Sequence, residues 1–378
     1  MTPTIGCYVH IPFCVRKCAY CDFNSYSGYT DGTIRRYVDA LTQEIERAPV
    51  QPQSVDTIFF GGGTPTAIPA TDEAALLRAV RERLPVTPNA EITTEANPGT
   101  MDVQHLEVLR EAGFNRISFG VQSFDSGLLK TLDRIHSADE AKNAVKAARA
   151  AGFDNVSIDL MFGLPRQTKA QWRDTLEQAM ALETEHISLY SLIVEEGTGF
   201  YTLRQKGRLP LPDEDTAAEM FQMAIDAAHA GGYEQYEISN FAKSGRACGH
   251  NVHYWRNDPY YGFGCGAVGY LDGKRIMNVK SPAKYCETIE DHGDLTYTCE
   301  ALTTEETMAE TMMLGLRLTG EGVDCRRYAE RFGVDPRAKF PDDIAKFTKD
   351  GLLETDGDFL RLTPRGVFLA NEVMMAFV

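Results

Sequence analysis

The sequence predicts an α/β fold, a partial (β/α)6 barrel followed by a smaller, mainly helical, winged-helix-like C-terminal module. Three observations lead there. Short β-rich apolar runs alternate with amphipathic helical stretches from the first residues to beyond residue 190, polar clusters fall just past the strand ends, and the pattern changes character near residue 301. The expected organisation is a barrel over residues 1–208, a barrel extension with an aromatic motif over 209–300, and a separate module over 301–378.

Six strands are expected, at Gly6–Ile11, Asp56–Phe60, Ala90–Ala96, Arg116–Val121, Asn155–Phe162 and His186–Val194. Between them, Thr71–Leu84, Asp102–Gly113, Ser137–Gly152 and Thr168–Leu182 carry apolar residues at helical spacing, and Gly113 and Gly152 stand where a left-handed C-cap is expected. Strand and helix in alternation mean βαβ units and a parallel sheet. A doubly wound sheet would satisfy the same alternation. The barrel is preferred because GGGTPT, EANPGT, GVQSF and DLMFGLP follow or close successive strands, at the rim where barrels place their sites.

Each rim cluster suggests chemistry. Gly61, Gly62 and Gly63 would let backbone approach a ligand, or simply make a tight turn. Glu95, Gln122 and Arg134 could hold amine, hydroxyl or carboxylate groups, and Asp159 lies inside an apolar strand, where a charge needs a partner.

Further on, residues 209–245 read as a linker, one amphipathic helix and a strand. The stretch CGHNVHYWRNDPYYGFGCGAVGYL then crowds His250, His253, Tyr254, Trp255, Tyr260 and Tyr261 ahead of closely spaced glycines. An aromatic loop that seals one barrel end would look like this, and so would an axial haem ligand beside a flat porphyrin pocket. In the last segment Thr303 and Glu306 form a capping box, two short helices follow, a hairpin turns at Asp356-Gly357, and a final helix starts at Thr363-Pro364.

Composition excludes some roles. A formal net charge of −16 argues against a nucleic-acid partner, and no apolar run approaches the roughly 18 residues of a membrane span. The cysteines number 9, an odd count, and MTPTIGCYVHIPF lacks a secretory pattern, so a reducing, cytoplasmic setting is expected in which clustered thiols bind metal. Cys14, Cys18 and Cys21 are the cluster. Zinc usually takes four protein ligands, and no second CxxC follows, although His10 could complete a site. An iron-sulfur cluster suits the soft thiolates, and three cysteines leave one of four irons open to a ligand that is not protein.

CxxxCxxC with Tyr20 before the last cysteine resembles the radical S-adenosylmethionine (SAM) signature. The resemblance implies a radical SAM barrel with a 4Fe-4S cluster whose open iron chelates S-adenosylmethionine and whose electron cleaves it to a 5'-deoxyadenosyl radical. YVHIPFC, GGGTPT, EITTEANP, FGVQSF, RIHS and DLMFGLP are similar to the coproporphyrinogen oxidase-like branch of that superfamily, which implies cofactor contacts from Tyr8, Gly62, Gly63, Thr64, Glu95, Gln122, Arg134 and Asp159. The run HNVHYW resembles the HNxxYW haem-binding motif of the heme chaperones in this branch, implying haem ligation by His250. Haem-accepting proteins, membrane-bound respiratory enzymes among them, are the implied partners, and homodimer formation is left open.

Oxidases of the branch resemble CxxxCxxCxC and carry an N-terminal extension, whereas here Phe23 stands at the last cysteine position and thirteen residues precede Cys14. A haem chaperone is therefore expected. The alternative is an oxygen-independent coproporphyrinogen III oxidase.

Overall fold

The computed structural model describes residues 4–378. Six strands, β1 (Ile5–Ile11), β2 (Val55–Gly62), β3 (Val86–Ala96), β4 (Arg116–Gln122), β5 (Val156–Phe162) and β6 (His186–Ser191), pair side by side and parallel. The sheet is wider than expected. β8 (Asn240–Ala242) adds antiparallel to β6 and β7 (Glu234–Gln235) pairs antiparallel with β8, while β9 (Tyr260–Phe263) pairs parallel with β1 on the other side and leads into a meander of β10 (Val268–Leu271), β11 (Lys274–Asn278) and β12 (Thr296–Ala301). The result is one 12-stranded sheet that continues past both ends of the parallel set.

Local chemistry accounts for the helices that cover it. Asp102, Ser137 and Thr168 cap three of them, the last two in complete capping boxes with Glu140 and Gln171, and Gly113 ends the first in the left-handed region at φ 108. The apolar faces they present meet the sheet in a core that includes Ile58, Phe60, Ile117, Phe119, Ile158 and Trp172.

The segment read from sequence as an aromatic loop contains a helix, Gly249–Trp255. The side chain of its N-cap residue, Cys248, makes no capping bond. Glu91 of β3 does so instead, accepting the Gly249 amide at 3.1 Å and the His250 amide at 3.2 Å, so the start signal lies far away in sequence. His250 lies against Gly6, and Thr57 at the start of β2 is bonded to it, which puts the helix at the N-terminal mouth of the barrel.

The C-terminal module has its own core around Met312, Leu316, Leu360 and Val373 and its own sheet of β13 (Val323–Asp324), β14 (Leu353–Asp356) and β15 (Phe359–Leu362). Thr303 and Glu306 form the expected capping box. The module rests on the helix Gly249–Trp255. The Arg317 guanidinium lies 4.2 Å from the Trp255 ring, Arg256 pairs with Glu321 at 2.6 Å, and Arg327 pairs with Asp258. Among the described residues no helix is long and apolar enough to cross a membrane.

Candidate functional site

The loop after β1 is closed at its base by two backbone bonds, Cys14 amide to Tyr26 carbonyl and Tyr26 amide to Pro12 carbonyl, each 2.8 Å. This brings Cys14, Cys18 and Cys21, all free and partly exposed, to the C-terminal rim of the barrel. They line one cleft with Gly63, Thr64, Glu95, Asn97, Gln122, Arg134 and Asp159. Tyr8 and Gly62, expected in the same ring, are not in its lining. The Tyr8 hydroxyl donates to His10 Nδ1 at 3.0 Å, and the Gly62 amide donates to Glu95 Oε2 at 3.3 Å, so both stand behind residues of the cleft.

The glycine run also has a structural task. A Cβ at Gly62 would fall 2.3 Å from the His10 ring and one at Gly63 2.7 Å from the Phe13 carbonyl, so these glycines first make room for the end of β1 and the start of the cysteine loop. Gly120 does open the cleft, since a Cβ there would crowd Gln122 Nε2 at 3.1 Å and Arg134 Nη2 at 3.2 Å. Gln122 holds φ 68, a left-handed conformation that costs a non-glycine residue about 1 kcal/mol or more and is concentrated at functional sites.

Polar capacity is left over around the thiols. Arg134 donates from Nη1 to Cys18 Sγ at 3.3 Å and from Nη2 to Asn97 Oδ1 at 2.7 Å and the Gly120 carbonyl, yet its buried Nε has no partner. Asp159 accepts from Ser118 Oγ at 3.1 Å, and burial pushes its carboxyl up despite Ser188, Arg116 and Arg134. Burial, reinforced by Asp159, pushes Glu95 up to about 7. Burial also raises the Cys14 and Cys21 thiols. Binding to a metal would reverse that, because thiolates are the ligating form.

At the opposite mouth His250 itself is closed in. His250 is 1% exposed, with Nδ1 3.0 Å from Thr57 Oγ1 and Nε2 3.0 Å from the Tyr254 hydroxyl, and its ring stacks 5.2 Å from Phe59. Burial, with the nearby charge of His253, lowers its pKa to about 3, so the imidazole is neutral. His253 is bonded to Asp56 at 2.7 Å and lies 3.5 Å from Asp258.

Comparison with known proteins agrees with this architecture. Residues 8–179 match the Radical SAM superfamily, and residues 302–369 match the HemN C-terminal domain. The chain is 41% identical to the heme chaperone HemW of Bacillus subtilis over 374 residues, 98% of each protein. It is 42% identical to the heme chaperone HemW of Escherichia coli over 286 residues, 74% of each. The chain belongs to the HemW family. Among solved structures, the coproporphyrinogen III oxidase HemN from Escherichia coli, described as a radical SAM enzyme, superposes with a TM-score of 0.85 at 25% identity, covering 100% of this chain and 90% of that one.

For a HemW-family chain, superfamily membership implies a 4Fe-4S cluster and SAM, and the cleft fits both. Three soft thiols line one opening, Arg134 of the same lining has a buried Nε without a partner, and two partly buried carboxyls there have acceptor capacity to spare. Among the described residues no group of three His, Cys, Asp or Glu side chains could hold a single metal ion. Ligands at the corners of a polynuclear cluster stand farther apart than ligands of one ion, so thiols spread around a cleft suit the cluster. Sequence reasoning missed Tyr20 and Asn97 as cleft residues, and Ser118 and Arg116 as supports of Asp159. Asn97 was legible only as loop punctuation before a proline, although it anchors both Arg134 and His136.

Proposed function

We propose that this protein is a haem-binding chaperone on a radical SAM scaffold, which holds a 4Fe-4S cluster on Cys14, Cys18 and Cys21 and delivers haem to haem proteins such as respiratory enzymes. The observation that carries the proposal is the likeness to the Bacillus subtilis heme chaperone over 98% of the chain. In the cleft, Thr64, Glu95, Gln122, Arg134 and Asp159 would take the amine, carboxylate and ribose groups of SAM, with Arg134 as the carboxylate clamp. The cluster, when bound, supplies the electron for reductive cleavage of the sulfonium. The protein's part is to bind, orient and keep water out.

Haem ligation falls to His250, whose imidazole is neutral as a ligand requires. Both of its ring nitrogens are engaged by Thr57 and Tyr254, so haem capture requires the helix Gly249–Trp255 to swing away from the barrel. One observation favours the oxidase reading, the full-length superposition on HemN. Against it stands Phe23, 62% exposed on the lip of the cleft where the oxidase pattern has a cysteine.

The deciding experiment is anaerobic reconstitution with iron and sulfide, followed by haem titration and product analysis with coproporphyrinogen. Stoichiometric haem binding, weakened in His250→Ala, with no decarboxylated product is expected. Robust decarboxylation by the wild type, or haem binding unchanged when the whole His250 to Trp255 stretch is replaced, refutes the chaperone.

A further inference from the structure

The glycine-rich turn after β9 belongs neither to the cysteine cleft nor to the surroundings of His250, yet it touches the cysteine loop directly. Asn24, three positions beyond Cys21, donates from Nδ2 to the carbonyls of Cys265 and Lys280, each at 3.0 Å. Its Oδ1 accepts from the Tyr26 hydroxyl at 3.0 Å, and its backbone carbonyl accepts from His10 Nε2 at 2.9 Å. Both amide hydrogens and the backbone carbonyl are therefore bonded to residues outside the loop, while Oδ1 is held within it.

The far side of the contact is rigid. The Gly264 amide donates to the carboxylate of Glu44 at 2.7 Å, the Cys265 amide to the Tyr37 hydroxyl at 3.0 Å, and Asn278 donates to the Gly264 carbonyl at 3.0 Å. Glycine is required at the point of contact. Gly266 holds φ +70, and a Cβ there would fall 2.3 Å from Asn24 Nδ2 and 2.8 Å from its Cγ. A side chain at 266 would displace the amide from both carbonyls.

We propose that Asn24 is a positioning residue for the iron-sulfur cluster, locking the cysteine loop against the turn Gly264–Gly266. This rests on the assignment of a cluster to Cys14, Cys18 and Cys21. The wall of the cleft next to Asn24 is formed by Phe23 and Ser25, and Ser25 Oγ lies 3.7 Å from Cys21 Sγ. Holding residue 24 therefore holds the last thiol. The same turn follows the helix of His250 through β9, so the chain that carries the haem motif at one mouth braces the cluster loop at the other. Supports of this kind, one bond removed from the ligands, characteristically change metal affinity about 10- to 100-fold when lost.

The test compares the full-length wild type with Asn24→Asp, Asn24→Ala, Gly266→Ala and Cys18→Ala after anaerobic reconstitution. Iron and sulfide per chain, the rate of cluster loss to a chelator, the EPR spectrum of the reduced cluster and haem binding are read for each. Asn24→Asp keeps the shape but replaces two donors by an oxygen facing two carbonyls. It should lose its cluster about tenfold faster than wild type or more, with an altered EPR signal and unchanged haem binding. Gly266→Ala should behave alike, and should add little when combined with Asn24→Ala, because the clash partner is gone. Should Asn24→Asp fail to fold, Tyr26→Phe removes only the hydroxyl that reaches Asn24 and Lys280, and a smaller acceleration of the same kind is expected. Variants at positions 24 and 266 that retain the cluster like wild type, with the wild-type spectrum, overturn the positioning role alone. A wild-type chain that takes up no cluster overturns the cluster assignment and this role with it.

Discussion

The two mouths of the barrel differ in how far their candidate ligands are already engaged. At the C-terminal rim three thiols stay partly exposed in a cleft lined with polar side chains, and Gln122 is held in a strained conformation. At the N-terminal mouth His250 is buried, both its ring nitrogens are bonded, and the C-terminal module clamps the helix that carries it. A site with spare polar capacity is ready for its ligand. One whose capacity is filled by its own chain must open first, and the affinity it shows is reduced by the cost of opening. The proposed cluster and SAM site is of the first kind, and the proposed haem site is of the second.

The largest effect that could break this contrast comes from the ligands themselves. Cys18→Ala should abolish the visible absorbance of the reconstituted cluster while haem binding through His250 persists, because nothing at the N-terminal mouth contacts that thiol directly. Cys299→Ala, exposed on β12, should leave the cluster intact. Loss of haem binding together with the cluster in Cys18→Ala would show that the mouths act as one site.

Next in size is the clamp on the motif helix. Burial opposes a charge on His253, but Asp258 and Asp56 outweigh it and raise the pKa to about 9. Asp258 in turn faces Arg327. A histidine raised from an unfolded value near 6.5 contributes stability that is complete below pH 6.5 and lost as the pH climbs through about 9, a change of about 3 kcal/mol. Urea unfolding of wild type and His253→Gln should therefore differ most near pH 6 and converge by about pH 10. A difference that stays constant with pH would mean that His253 is neutral in the fold.

The contrast also explains what the sequence could disclose. The parallel strands and their helices were legible because their signals are local, as in the capping boxes at Ser137 and Thr168 and the left-handed cap at Gly113. The rim acids were legible for the same reason, since Glu95 closes a strand and Asp159 interrupts an apolar one. The helix at His250 was not, because its cap, Glu91, comes from β3, and the four residues of β9 reach the sheet only by pairing with β1. Asn24 gave no local sign at all. Its meaning lies in Cys265 and Lys280, more than two hundred residues along the chain, and in a glycine whose φ only the fold requires.

Within the rim, Arg134→Ala should weaken SAM binding by about 1.5–3 kcal/mol, roughly tenfold or more, as expected for a hydrogen bond to a charged group. Calorimetric titration of the reconstituted protein measures it, and haem affinity serves as the control. SAM binding equal to wild type would reduce Arg134 to a support for Cys18, Asn97 and the Gly120 carbonyl.

The smallest expected effect has the opposite sign and separates an occluded ligand from a merely structural histidine. The Tyr254 hydroxyl lies 3.0 Å from His250 Nε2 and occupies the nitrogen that haem iron would need. Tyr254→Phe keeps the ring and its edge contact with the imidazole, centroids 4.8 Å apart, but deletes that bond. A net hydrogen bond is worth about 1 kcal/mol, and removing one that exists only in the closed state lowers the cost of opening by the same amount. Haem affinity should then rise about fivefold, within the tenfold that corresponds to about 1.4 kcal/mol, while cluster content stays unchanged. If His250 only plugs the barrel, Tyr254→Phe will lower thermal stability slightly and leave haem affinity where it was. Spectrophotometric haem titration of the two proteins side by side therefore decides whether the closed mouth is a gate or a plug.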